Sequence, residues 1–432
     1  MRQCTISCCV RAPRGSTRRY AIKLMNALII KHSTIIFFAL ALSACGGKND
    51  ESSNPASPSA AGWARQAGNP LIAPKLTATT QDFGPADPTV LFDAEDNTWK
   101  AWFSSTLKDR SSGSEMMVIK YSESPDGVAW SEPRVAFQVS GDSTAWDYTN
   151  TETPTVIKNP DSTAPSGQKF MMWYAGANKT LAASQSRPAT FPYYQIGLAF
   201  SADGRSFARY SPGLNNKPGL VLEANADLFG TGLPDIFGDG LVADPEVIYR
   251  NKLYHMWFSS YAETAARTPL AFGIAYATSS DGITWSASQA NPLSTLAKSG
   301  EVAAGQQPSV LFNPAANRYE MWFSNDTDAE KKTIPCSFNT VNGFWRALSS
   351  DGVTWTPDYS KRDLTYDPQY AYESLGFLTG VNVVLDNGIY RAYYSAWGTE
   401  QIPDDRVYLC PDQQGGLIPA VLTLNYAIFT LR

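Results

Sequence analysis

The chain has 432 residues, of which 43% are hydrophobic, 17% charged and 12% aromatic. This composition permits a sizeable core and excludes a disordered polymer. Soluble domains usually contain about 25% charged residues, so the deficit and the aromatic content favour short strands over long charged helices. Residues 1–44 hold seven Lys/Arg and no Asp/Glu, which leaves 28 basic and 40 acidic residues in the remainder, a net charge of −12. That charge argues against nucleic acid as a partner.

Histidine is scarce, because only His32 and His255 occur. Metal sites built on several histidines are therefore excluded, and no metal site is predicted. Any catalysis is expected to depend on carboxylates.

The N-terminus is typical of an export signal. A basic stretch precedes the nine apolar residues Thr34–Leu42, a run too short to span a bilayer as a mature helix. The sequence Leu42-Ser43-Ala44-Cys45-Gly46 then resembles the bacterial lipobox, in which cleavage precedes a lipidated cysteine. We therefore expect residues 1–44 to be a lipoprotein signal peptide. The mature protein would be attached through Cys45 to the bacterial cell envelope, at the outer membrane on its periplasmic side or at the cell surface.

Residues 45–62 are rich in Gly, Ser, Pro, Asn and Ala, without apolar periodicity, and are expected to form a flexible tether. The folded domain is expected to span 63–432. It retains two cysteines, Cys336 and Cys410, which could form a disulfide after export or remain free thiols.

A repeated phrase organises the domain: a strand beginning at X-Pro-x-Val, an aromatic strand, an Ile-Gly-x-Ala-x-Ser strand and an Asp-Gly turn before an aromatic residue. The first element starts at Ala86, Glu152, Ala243 and Gln306, with a degenerate fifth copy at Thr379–Val384. The second element begins at Trp99, Phe170, Tyr254, Tyr319 and Tyr390. The turn aspartates are Asp126, Asp203, Asp281 and Asp351. Asp-Gly predicts a tight hairpin in which both central residues have positive φ.

Four short strands repeated five times predict an all-β fold, a five-bladed β-propeller. The fifth copy lacks its Asp-Gly-Trp strand, but Trp63–Leu71 matches Trp285–Leu293 in the spacing of Trp to Asn-Pro-Leu. The N-terminal segment is therefore predicted to complete the last blade by pairing with a C-terminal strand near 420–431. The protein is expected to be a monomer.

Long loops are predicted on the face where the first strands begin, and loops on a rigid scaffold commonly carry function. The first strands offer Asp87, Glu152, Asp244 and Gln307 around one axis. Carboxyls that lie close together cannot all ionise at low cost, so a proton donor beside an ionised base is expected, as glycoside hydrolysis requires. Alternatively, acids before proline only shape the strand starts. Glu246 could hold a cation or water in the axial channel, although no cofactor is required.

Other conspicuous residues have simpler interpretations. The Asp-Gly aspartates are expected to be structural. His255 occupies a strand position that holds Lys100, Met171, Glu320 and Arg391 in other copies, so it is expected to face solvent or a blade edge. The recurring tryptophans are expected to pack between blades; they are Trp102, Trp173, Trp257 and Trp322.

These motifs resemble the five-bladed propeller glycosidases, the superfamily of arabinanases, invertases and levansucrases, and among them most of all glycoside hydrolase family 43. The Asp-Pro at the first strand of blade one, the second Asp-Pro in blade three and a Glu-x-Pro carry the resemblance. It implies Asp87 as general base, Asp244 as the residue that tunes and orients the acid, and Glu152 as candidate acid. The family usually takes its acid from blade four, where this chain has Gln306 and Gln307.

The sequence leaves three functions open: a glycosidase acting on oligo- or polysaccharide, such as arabinose- or xylose-containing glycans; a family-130-like enzyme acting on mannosides; and a non-catalytic glycan-binding lipoprotein. Carbohydrate is the expected partner in each case, with the membrane reached only through the lipid. The predicted substrate-binding residues are Trp146, Tyr148, Gln307, Glu373 and Trp397. The aromatic members could equally serve loop packing.

Overall fold

The computed structural model describes residues 62–75, 79–180, 194–223, 241–263, 269–298, 305–325, 343–376, 378–399, 408–411 and 417–430. For 262–263, 269–272, 408–411, 417–421 and 430, only the backbone is described. The predicted signal peptide, the tether with Cys45, and Cys336 lie outside these residues, as does the side chain of Cys410. The predicted lipidation and disulfide therefore stay predictions. No helix in the described part is long and apolar enough to cross a bilayer.

The described residues form short antiparallel strands, as the sequence predicts, and we name the five structural units repeats 1 to 5. Repeat 1 contains β2 (Thr80–Asp93), β3 (Thr98–Asp109), β4 (Glu115–Ser124) and β5 (Arg134–Phe137). Repeat 2 contains β6 (Asn150–Lys158), β7 (Phe170–Ala177), β8 (Gln195–Ser201), β9 (Ala208–Arg209) and β10 (Leu220–Leu222). Repeat 3 contains β11 (Leu241–Arg250), β12 (Leu253–Glu263), β13 (Pro269–Ser279) and β14 (Ser286–Ala287).

Repeat 4 contains β15 (Gln306–Asn313), β16 (Arg318–Ser324), β17 (Gly343–Ser349), β18 (Thr356–Asp358) and β19 (Leu364–Thr365). Repeat 5 contains β20 (Leu378–Asp386), β21 (Ile389–Gly398), β22 (Tyr408–Pro411), β23 (Leu417–Thr430) and the N-terminal β1 (Ala64–Arg65). Short 3-10 helices lie at Ser166–Gln168, Leu214–Asn216, Ser294–Leu296 and Ala371–Glu373. Repeats 1 and 2 share one sheet through a parallel bridge between Met117 and Asn150. None of the sheets formed by the described strands closes on itself.

The N-terminal segment pairs with the C-terminal strand, where the sequence placed it. Ala64 lies opposite Ile428 in β23. Asn69 binds the backbone of Tyr426 through both side-chain atoms, at 2.8 and 2.9 Å. Asn291 of repeat 3 binds the backbone of Tyr276 at the same two distances. The two Asn-Pro-Leu segments therefore play the same structural part.

Hydrogen bonds from buried aromatic residues connect successive repeats, which confirms the predicted packing role of the tryptophans. The indole Nε1 of each donor bonds a glycine carbonyl in the Asp-Gly turn of the next repeat: Trp102 to Gly204 at 2.7 Å, Trp173 to Gly282 at 2.9 Å and Trp257 to Gly352 at 2.8 Å. The hydroxyl of Tyr393 in repeat 5 donates to Gly127 of repeat 1 at 3.2 Å. Trp322 of repeat 4 instead donates to Asp363 at 2.6 Å, which also accepts from Trp63 at 3.0 Å.

The Asp-Gly turns differ from the predicted hairpin type. In the first turn only Gly127 has positive φ, at 78°. The Asp126 carboxylate accepts the backbone N–H groups of Val128 and Ala129, both at 2.8 Å. The aspartate thus stabilises the turn through its side chain rather than through a left-handed backbone.

The prediction that His255 faces solvent is wrong. Its side chain is buried, with Nδ1 2.6 Å from the Tyr276 hydroxyl and Nε2 3.2 Å from the Arg250 carbonyl. Burial lowers the pKa of His255. Two of the other copies also bury polar groups here, because Lys100 and Glu320 lie within ion pairs, whereas Met171 is a buried apolar residue.

Candidate functional site

The first strand of each repeat contains a β-bulge; these strands are β2, β6, β11, β15 and β20. The bulge residue has φ near +50° in every repeat: Asp87 (48°), Thr153 (47°), Asp244 (51°), Gln307 (52°) and Gly380 (51°). Residues other than glycine rarely adopt this left-handed backbone conformation, and those that do cluster at functional sites. A bulge also re-aims the side chain it carries.

The five bulges surround a small axial cavity. Its volume is about 30 Å³, room for roughly two waters. Four of the five bulge residues are followed by proline, and the lining comprises Asp87, Pro88, Thr89, Thr153, Pro154, Asp244, Pro245, Glu246, Gln307, Pro308, Gly380 and Val381. The loops predicted to surround this face lie largely outside the described residues.

Asp87 is a carboxyl of the cavity wall that several side chains contact. Its side chain hydrogen-bonds Thr379 and Ser104, and Gln307 Nε2 lies 3.3 Å from its Oδ1. Burial raises the pKa of Asp87 well above its ordinary value, and the charges of Asp244 and Glu152 raise it further.

Asp244 occupies the same position in repeat 3. Ser259 Oγ donates to Asp244 Oδ2 at 2.6 Å and accepts the backbone N–H of Gln307 at 2.9 Å. Burial raises the pKa of Asp244 to about 6, and the charge of Glu152 adds to the effect. Because the charges of Asp244 and Glu152 raise the pKa of Asp87, and the charge of Glu152 raises that of Asp244, the three acids predicted from the sequence lie near one another.

Glu152 differs from the two aspartates in register. Glu152 lies opposite Ala175 just before the bulge, which is the position that Ala86 and Ala243 hold in repeats 1 and 3. Thr153, not Glu152, is therefore the equivalent of Asp87. Asn150 Nδ2 donates to Glu152 Oε1 at 2.9 Å, and the Tyr194 hydroxyl also bonds the carboxyl. Burial raises the pKa of Glu152.

Glu246 is the third carboxyl of the cavity wall, beside Asp87 and Asp244, whereas Glu152 does not line the cavity. Its Oε1 accepts the backbone N–H of Val310 in repeat 4 at 3.2 Å, and its Oε2 accepts from Thr155 of repeat 2 at 3.4 Å. Burial raises the pKa of Glu246 to about 8. The described residues contain no group of three or more His, Cys, Asp or Glu side chains arranged to hold a metal ion. A cation beside Glu246 therefore stays a prediction.

The predicted substrate-binding residues are distributed differently. Gln307 lines the axial cavity, whereas the ring of Trp146 is 8% exposed and stacks on Tyr174 at a centroid distance of 5.6 Å. Trp146 therefore packs in the core, which is one of the two roles that the sequence left open for it. Tyr148 and Trp397 are half-buried and do not line the axial cavity.

Glu373 also lies outside the cavity wall. Its fully buried carboxylate pairs with Arg65 of the N-terminal strand at 3.0 Å and accepts the Tyr394 hydroxyl. These contacts give Glu373 a part in holding the last strands together.

Sequence reasoning missed the residues that support the acids. Ser104 and Ser259 occupy the same place in the recurring Trp-Phe-Ser phrase, and each contacts the bulge aspartate of its own repeat. Each also accepts the backbone N–H of the next bulge residue, Ser104 from Thr153 at 2.7 Å. The repetition of this serine was a usable signal. The sequence carried no comparable signal for Tyr194.

The fold is similar to that of several solved structures, although no protein-family model and no curated protein sequence matches the chain. A solved structure named "Glycoside hydrolase" matches with a TM-score of 0.53 and 14% identity, covering 82% of this protein and 90% of the other. A second solved structure, a complex of BT0996 and RGII, gives the same four values. The protein has the fold of a glycoside hydrolase. The resemblance predicted from the sequence is confirmed at the level of the fold, which is as far as 14% identity reaches.

Proposed function

We propose that the protein is a glycoside hydrolase that uses its axial carboxyls for acid–base catalysis. The observation that carries the proposal is the convergence of Asp87, Asp244 and Glu152, three carboxyls whose pKa values are all raised. Raised values bring carboxyl groups toward the operating pH, where proton transfer is most efficient. A site that keeps one carboxyl protonated beside an ionised one has the two groups that cleavage of a glycosidic bond needs.

In the proposed mechanism Asp87 is the general base, and because burial and its acidic neighbours raise its pKa, it acts as a base only above that pKa. The hydrogen bonds from Thr379 and Ser104 lower its pKa and so favour the ionised form. Hydrogen-bond donors from Thr379, Ser104 and Gln307 orient its carboxylate as an acceptor. Glu152 is the general acid, because burial raises its pKa and so favours the protonated carboxyl. Asp244, fixed by Ser259, orients and tunes the acid.

The proposal includes the architecture and the location. The five repeats would form a closed five-bladed β-propeller, supported by a ring of contacts that returns from repeat 5 to repeat 1 through Asn382 Oδ1 and the Val90 N–H at 2.9 Å. Export and attachment through Cys45 rest on the lipobox-like sequence. Replacing Cys45→Ser should release the protein from membranes, and a mature N-terminus found elsewhere by mass spectrometry would defeat the anchoring proposal.

The test is a glycan panel assayed for released reducing sugar. The full mature protein is incubated with arabinose-, xylose- and mannose-containing oligosaccharides, beside an Asp87→Asn variant of equal melting temperature. Turnover that falls at least about 100-fold in the variant, the scale of a lost general base, supports the proposal. Oligosaccharide binding without turnover on any glycan would instead establish the alternative, a non-catalytic glycan-binding protein.

A further inference from the structure

A second and larger cavity lies where the N-terminal segment crosses repeat 1. Its volume is about 180 Å³, far more than the roughly 15 Å³ that one water needs. We call it the side cavity; residues 71–73 and Lys75 form one wall, and β2, β3, β4 and 130–133 form the other. It shares no lining residue with the axial cavity.

The charges in the side cavity cancel. Lys120 pairs with Asp82, and Lys75 pairs with Glu132 at 2.8 Å near the surface. Asp82 is held further by Ser105 Oγ at 2.5 Å and the Gly84 N–H at 3.0 Å. A wall with two ammonium groups and two carboxylates disfavours an ion of either sign, but it offers donors and acceptors side by side.

Trp130 lines the side cavity and carries a hydrogen-bond donor without a partner among the described residues. That donor is the indole Nε1, which is buried. Leaving a buried donor unpaired costs about 1–3 kcal/mol. Trp130 and Phe103 also contribute aromatic surface to the lining.

We propose that the side cavity is a second carbohydrate site, which binds one neutral sugar unit. A sugar ring carries hydroxyls that both donate and accept, which matches the mixed wall of Lys120 and Asp82. A ring hydroxyl or ether oxygen would accept the Trp130 N–H once the indole turns toward the cavity, because its Nε1 is buried in the unbound protein. The C–H face of the sugar would pack on an aromatic ring. Because the site involves none of the axial carboxyls, it does not depend on the proposed catalysis.

Trp285 supplies a matched control. It follows the Asp-Gly turn of repeat 3 as Trp130 follows that of repeat 1, and its Nε1 is likewise buried without a partner among the described residues. Trp285 does not line the side cavity. Trp130→Phe and Trp285→Phe should therefore have similar effects on stability, whereas only Trp130→Phe changes the lining of the side cavity.

The experiment uses the mature protein labelled with 5-fluorotryptophan, observed by fluorine NMR while D-xylose, L-arabinose or D-mannose is added. Trp130→Phe and Trp285→Phe assign the two resonances by their loss. We expect at least one sugar to shift the Trp130 resonance in a saturable way and to leave that of Trp285 unchanged. Trp130→Phe should also weaken binding of that sugar about 2- to 10-fold, the scale of one hydrogen bond. A Trp130 resonance that does not respond to any of the three sugars, or an equal response of both tryptophans, would overturn the proposal.

Discussion

Gly380 and Asp87 are in such close contact that no side chain fits between them. A Cβ on Gly380 would lie 2.4 Å from both the Cα and the Oδ1 of Asp87. The first four repeats carry a side chain at this bulge position, so the fifth requires glycine because Asp87 fills the space. Gly380→Ala should displace the Asp87 carboxylate from Thr379 and Gln307, and should lower turnover on any responsive glycan at least tenfold.

The matched control for Gly380→Ala is Gly388→Ala. Gly388 also has positive φ, +82°, but a Cβ there would meet nothing within 4 Å. Both variants should lose about 1–2 kcal/mol of stability from the left-handed backbone, measured by denaturant unfolding, and Gly380→Ala should lose more because its Cβ meets the backbone of Asp87. Only Gly380→Ala should lose turnover as well, and equal turnover in the two variants would contradict the assigned position of Asp87.

The sequence predicted the repeats and the convergence of acids, because both depend on patterns that recur. The same repeat also contains the register of Glu152, because aligning the X-Pro-x-Val phrases places Glu152 with Ala86 and Thr153 with Asp87. Side chains in a strand alternate between faces, so a shift of one residue decides where a side chain points. The bulge that re-aims these side chains has no mark in the sequence, and the structure shows that Thr153 takes the aspartate position.

Longer-range features were also beyond reach of the sequence. The repeated phrase predicts which strands exist and even that Trp63–Leu71 pairs with the last strand. It cannot show that Asp87, almost 300 positions away, fills the space beside Gly380, or that the Tyr194 hydroxyl bonds the Glu152 carboxyl. Such contacts depend on how the repeats are set against one another.

Glu246 should make stability depend on pH. Its pKa in the folded protein is raised from 4.5 to about 8, so the unfolded chain ionises first. The folded state therefore loses stability as pH rises from about 4.5 to about 8, and the loss is constant above that. Glu246→Gln should be as stable as the wild type at pH 4. At pH 8 it should be more stable by roughly 3 kcal/mol, from about 1.4 kcal/mol per pH unit discounted for partial solvent contact.

Melting temperatures measured across pH 4–9 check this prediction, with Glu115→Gln as control. Glu115 is exposed and pairs only with Lys108 among the described residues, at 3.0 Å. Glu115→Gln should therefore not become more stable than the wild type at pH 8. A Glu246→Gln variant that melts below the wild type at pH 8 would show that the carboxylate is stabilised there, as a bound cation would do.

The N-terminal strand should be part of the cooperative fold, while the tether should not. Trp63 is 8% exposed, packs edge-on against Trp322 at 6.3 Å and donates to Asp363. Deleting residues 46–60 should leave the melting temperature unchanged. Deleting 46–71 should destabilise the protein by several kcal/mol, since the loss of a buried Trp alone costs about 3–5 kcal/mol. Equal melting temperatures for the two truncations would remove the strand from the folded domain.

The final prediction concerns Glu152 as the proton donor. Burial raises its pKa, and an acid must be protonated to act, so wild-type turnover should fall as pH rises through that pKa. Glu152→Gln should remove this alkaline limb of the pH-rate profile. It should also slow glycosides with poor leaving groups by about 100-fold or more, and nitrophenyl glycosides much less, because a nitrophenolate departs without a proton. Glu373→Gln is the matched control: its carboxylate pairs with Arg65 outside the axial cavity, so it should lower the melting temperature while the alkaline limb persists. If Glu152→Gln keeps full activity on both substrate types while Glu373→Gln abolishes it, the acid lies elsewhere and the role of Asp87 has to be tested independently of Glu152.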